Sequence, residues 1–129
     1  MRIVKRDEFL KLPEGTVYMT YRPQIFDNLS IKWQGLGHNG WCDDALLGAL
    51  ESEGSHQTTD RCIEMEEQGA SYPAEFGVCG RVTSDNPNEL FAIYEPADVA
   101  KLIARLQEAH AASVIVGSPI LTDPIMDPL

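Results

Sequence analysis

The sequence is short of positive charge. Its 129 residues carry ten Lys and Arg against twenty Asp and Glu, a formal net charge of −10. The cations are scattered, apart from Arg2, Lys5, Arg6 and Lys11 near the N-terminus. A duplex-binding protein needs a basic stripe, and a field of this sign repels nucleic acid and anionic membrane over about 8–10 Å, one Debye length. Duplex nucleic acid and membrane are thus not expected as partners. A small anionic ligand remains compatible, because a pocket needs only a few local cations. Cysteine is scarce as well. Cys42, Cys62 and Cys79 are an odd number at wide spacing, which points to reduced thiols and the cytosol rather than to a disulfide framework. Long apolar runs are missing. No stretch approaches the ~20 residues of a membrane span, and MRIVKRDEFL turns charged too early for a signal-peptide core.

What is present suits one soluble domain with a real core. Hydrophobic residues make up 43% and charged ones 23%, which is ordinary for a globular chain. RDEFLKL, 6–12, reads as a short helix ended by Pro13. GTVYMTY, 15–21, alternates with period two and reads as a strand. Leu29, Ile31 and Trp33 alternate in a second, and the two are expected to form a hairpin. ALLGAL, 45–50, is apolar without a period that separates helix from strand. Ser52 to Thr59 reads as a polar loop, followed by a helix over 60–68 with Thr59 as its cap and Gly69 at its exit. FGVCGRV, 76–82, is a strand weakened by two glycines. TSDNPN is a turn, and LFAIY, 90–94, is a buried strand. From Pro96 to about Ala111, Val99, Leu102, Ile103 and Leu106 form a helical apolar stripe. Val114-Ile115-Val116 is strand-like, and SPILTDPIMDPL holds three prolines that bar regular helix. The expected architecture is α+β: a small antiparallel sheet with the long helix packed on it, residues 1–112 as one domain and 113–129 as a Pro-rich extended arm.

Several motifs suggest chemistry. GLGHNG, 35–40, matches G-x-G-x-x-G in register, with Gly35, Gly37 and Gly40. Its candidate strand comes from a hairpin rather than a βαβ unit, and Asp43 and Asp44 would face any phosphate held there. A mobile loop pinned at its end by buried Trp41 is the favoured reading. His38 and Cys42 have i, i+4 spacing, but His56, Cys62 and Cys79 supply no second close pair for a structural metal site. HQT, 56–58, resembles half of the double H-x-[ST] signature of two-histidine phosphoesterases. Its second half is missing, and one histidine cannot be both acid and base. No G-x-S-x-G elbow occurs, and EMEE, 64–67, reads as a solvated helix face. No metal, cofactor or catalytic group is therefore expected. Of the cations and aromatics, Arg22 and Arg81 end strands, Lys32 lies on one, and Arg105 sits off the helix stripe. Arginine forks onto phosphate, and rings such as Tyr18, Trp33 or Phe91 can stack a base.

VKRDEFLKLPEGTVYMTY, EMEEQGASYPAEFGVCGR and NELFAIYEPADVAKLIARLQ, in that order, resemble small phage-encoded anti-defence proteins, the "sponges" that counter the Thoeris system. The resemblance spans about residues 3–107. It implies a non-enzymatic homo-oligomer, working in the host cytosol, that sequesters without cleavage a cyclic ADP-ribose-type signal made by a TIR-domain enzyme. Cyclic oligonucleotides are a further implied ligand. Arg22, Lys32, Arg81 and Arg105 are the candidate phosphate contacts, Asn86 and Asn88 the candidates for reading base or ribose, and Trp33 and Phe91 for stacking. Two rival readings are an acidic interaction protein that blocks a basic host partner, and a nucleotide phosphoesterase using His56.

Overall fold

The computed structural model describes residues 1–116, with side chains through Val114; the Pro-rich segment 117–129 lies outside the described residues. In chain order the elements are β1 (Arg2–Lys5), α1 (Arg6–Leu10), β2 (Thr16–Arg22), β3 (Ile25–Phe26), β4 (Ser30–Leu36), β5 (Gly40–Ala45), β6 (Ala49–Leu50), α2 (Ser55–Gln68), β7 (Ala74–Glu75), β8 (Cys79–Thr83), β9 (Leu90–Tyr94) and α3 (Pro96–Val116). The class is α+β, an antiparallel sheet and a C-terminal helix. The sheet has seven strands in the order β1-β9-β2-β4-β5-β8, with β3 on β2, while β6 and β7 pair separately. No described helix is long and apolar enough to cross a membrane.

The alternating residues of β2 and β4 form the expected hairpin, with Thr16 opposite Lys32, Val17 opposite Ile31 and Tyr18 opposite Ser30. Period two then sorts the side chains by face. Tyr18 shares its face with Trp41 of β5 and Phe91 of β9, and on that face α1 inserts Phe9. Phe9 and Phe91 stack with centroids 4.1 Å apart, and Trp41 meets Phe9 edge-on at 4.9 Å. Val4 and Ile93 complete this core. Five residues are too few for a helix to persist alone. Burial of Phe9 therefore holds α1 in place, and Pro13 follows just beyond its end.

The sequence reading is corrected at four places. GLGHNGWCDD is no mobile loop: β4 and β5 continue through it as a hairpin, with Gly35 opposite Trp41 and Leu36 opposite Gly40. One extra residue on β4 between Lys32 and Gly35 makes a bulge. The polar stretch before Asp60 is already helical, since α2 begins at Ser55. There the Gly54 carbonyl accepts the Thr58 N–H, and the Gln57 side chain accepts the Glu53 N–H. Polar side chains serve the helix start, so polarity alone misplaced it. The Val114–Val116 triplet continues α3 rather than forming a strand. Finally, β1 was not foreseen. Only Val4 of its four residues is buried, so no alternation marks it.

Contacts divide the chain after Ile93 into two compact units. The first holds the sheet, α1 and α2. The second, from Tyr94, holds α3, whose start is capped by Asp98 accepting the Glu95 N–H at 2.9 Å.

Candidate functional site

Two adjoining cavities open within the first unit, on the face that carries Tyr18. The smaller, about 350 Å³, is floored by Tyr18, Ser30, Trp41 and Phe91 and ringed by Asp27, Asp43 and Glu89. The larger, about 510 Å³, lies beyond the end of β2 and is lined by Arg22, Tyr21, Ser84, Asn86 and Asn88. Thr20, Thr83 and Glu89 line both. Both volumes lie within the roughly 300–1,000 Å³ usual for small-molecule sites.

Local sequence explains the placement. Alternation along β2 puts Tyr18, Thr20 and Arg22 on one face. The pairing Ser30–Ala45 puts β5 residues Trp41, Asp43 and Ala45 beside them. The turn after β8 is anchored at Ser84, which is buried. Its N–H donates to the Asn39 carbonyl at 3.0 Å, its carbonyl accepts from Arg6 at 3.3 Å, and its hydroxyl donates to Glu89. The Asn86 side-chain oxygen accepts the Asn88 N–H at 2.9 Å, closing an Asx turn that presents both asparagines to the larger cavity.

A chain of hydrogen bonds crosses the floor. The Trp41 indole N–H donates to the Tyr18 hydroxyl at 2.8 Å, and that hydroxyl donates to Asp43. Burial first, and the bond to Asp43 second, hold the Tyr18 phenol far above its ordinary value of 10.0, so it is a fixed donor rather than an acid or base.

Of the residues singled out in the sequence, Arg22, Asn86 and Asn88 come together at the larger cavity. Phe91 is 1% exposed and stacked on Phe9, so it backs the smaller cavity as core and offers no free ring face. Lys32 is 4% exposed; its Nζ donates to the Leu12 carbonyl at 2.8 Å and sits 5.8 Å over Phe9. Burial pulls its pKa down, against a smaller opposing pull from Glu14. It ties α1 to the sheet and is not available to a ligand. Trp33 lies on the opposite face of β4, donating to buried Asp44 at 3.1 Å. Arg81 is exposed on β8 opposite Cys42, away from both cavities. Arg105 belongs to the second unit and pairs with Glu108 on its own helix. His56 is exposed in the first turn of α2, and among the described residues no three His, Cys, Asp or Glu gather as metal ligands.

Sequence reading missed Ser30, Asp43 and Glu89. In sequence Asp43 belongs to the stretch that reads as a loop, where it would face any bound phosphate; the pairing of β5 with β4 is what turns it toward Tyr18. Ser30 carried a usable signal: it lies between Leu29 and Ile31 on an alternating strand, and so on the opposite face, which it shares with Lys32. Comparison of the chain with protein-family models, with curated proteins and with solved structures found no match.

Proposed function

We propose that this chain is a non-enzymatic binder that holds a small cyclic nucleotide signal of the cyclic ADP-ribose type, as the sponges it resembles do, and that it works as a homo-oligomer. The reading rests on one observation: Arg22, Asn86 and Asn88 converge on a single cavity of about 510 Å³. A guanidinium forks onto a phosphate with charge-assisted bonds, and amides read the donors and acceptors of a base or ribose. Arg22 is exposed at its strand end, with its charge unspent among the described ion pairs. A pyrophosphate takes more than one such contact. A second copy of the chain, related by two-fold symmetry, would supply the rest.

Calorimetry against a panel of cyclic ADP-ribose derivatives and cyclic dinucleotides, with mass from light scattering, tests this. One panel member should bind, Arg22→Ala should weaken it about tenfold or more, equivalent to one charge-assisted bond, and heat should release it unchanged. A new product on release would make the chain an enzyme. Affinity unaltered in Arg22→Ala would remove this site.

A further inference from the structure

The smaller cavity has features that the nucleotide reading leaves unused. Among the described residues three carboxylates, Asp27, Asp43 and Glu89, border it, and no lysine, arginine or histidine does. Among the described residues none of the three is in an ion pair. Asp43 and Glu89 are half-buried, each accepting one hydroxyl proton, from Tyr18 and Ser84 respectively. An ionised carboxylate accepts several hydrogen bonds, so each keeps acceptor capacity toward the cavity. The walls of Trp41 and Phe91 are apolar, which strengthens any charge interaction inside.

Ser30 supplies an independent sign. It is 8% exposed and lies on the cavity floor, between its strand partners Tyr18 and Ala45, which also line the cavity. Among the described residues its hydroxyl has no hydrogen-bond partner. A buried hydroxyl left unpaired loses its hydration without compensation, and such an orphan aimed into a cavity marks where a ligand group docks.

We propose that the smaller cavity is a binding site for a small organic cation carrying N–H donors, a protonated amine or a positively charged nitrogen heterocycle. The cation sits against Asp43 and Glu89, Asp27 closes the mouth, and Ser30 bonds the ligand from below. A phosphate is repelled here by the same three carboxylates. The site does not depend on the nucleotide at Arg22, although a molecule with a phosphate at one end and a cationic base at the other would fill both cavities.

The test pairs each cation with a neutral molecule of nearly the same shape. Calorimetry would compare 1-methyladenosine, whose ring is cationic at neutral pH, with adenosine, and benzylamine with benzyl alcohol. The expected result is a preference of about tenfold or more for at least one cation over its partner, weakening as salt is added. Glu89→Gln and Ser30→Ala should each reduce it, with unchanged circular dichroism showing the fold intact. Arg22→Ala should leave it alone, which separates this site from the nucleotide pocket. If neither cation outbinds its neutral partner, or if the preference survives both Glu89→Gln and Ser30→Ala, the proposal is overturned.

Discussion

Tyr18 shows how much one side chain can be asked to do. Its ring packs in the core with Phe9 and Trp41, while its hydroxyl joins the Trp41 indole to Asp43 at the cavity floor. Tyr18→Phe removes both bonds and leaves a half-buried carboxylate one donor short, a loss of about 1–3 kcal/mol in urea unfolding. The phenol also sets a pH dependence. Its folded pKa lies above 10.0, so at higher pH the unfolded chain loses this proton first and stability falls. That decline should flatten in Tyr18→Phe. Lys32 acts in the other direction. Its folded pKa lies below 10.5, so between the two values the unfolded chain binds more protons and stability rises with pH. The stability of the wild type relative to Lys32→Met should therefore increase as pH climbs toward 10.5, read by thermal melts across buffers. Neither role was legible in advance. Lys32 alternates on its strand like a surface residue, and only α1 lying over it brings the Leu12 carbonyl within reach.

The elements were legible where the period was long or the chemistry of an end was explicit. LFAIY became β9 residue for residue, Gly69 ends α2 at φ +69, and the stripe after Pro96 became α3. The opening glycines were harder, since the same residue type serves phosphate loops and tight turns. Here they serve the β4–β5 turn. Gly37 has φ +70, and a Cβ on Gly40 would come within 2.5 Å of the Leu36 carbonyl oxygen. Gly40→Ala should cost about 1–3 kcal/mol through forced backbone movement, visible as a lowered unfolding midpoint. The start of α2 offers a gain. Gly54 caps the helix with an extended backbone and no side-chain bond, and no atom of the described residues lies within 4 Å of its Cβ position. Gly54→Asp should add about 0.5–1 kcal/mol by bonding the free N–H groups of the first turn.

Across the whole molecule, charge and exposed apolar surface bear on association. A net charge of −10 opposes self-association at low salt, while Ile103 and Leu106 on α3 are 50% and 61% exposed. If the proposed oligomer uses that stripe, Leu106→Lys should reduce the mass seen by light scattering toward the 14.3 kDa of one chain. Fold class was legible at this scale because alternating and helical periods occupy separate stretches. Strand order was not, since no local pattern says that β1 pairs with β9. That pairing, Arg2 against Ile93 through Lys5 against Leu90, places the first strand's neighbour among the described strands near the far end of the first unit. A ribosome must therefore deliver almost the entire unit before its N-terminal strand can dock. Until then β2 presents a bare edge, and refolding should be paced by this late closure rather than by the local hairpins.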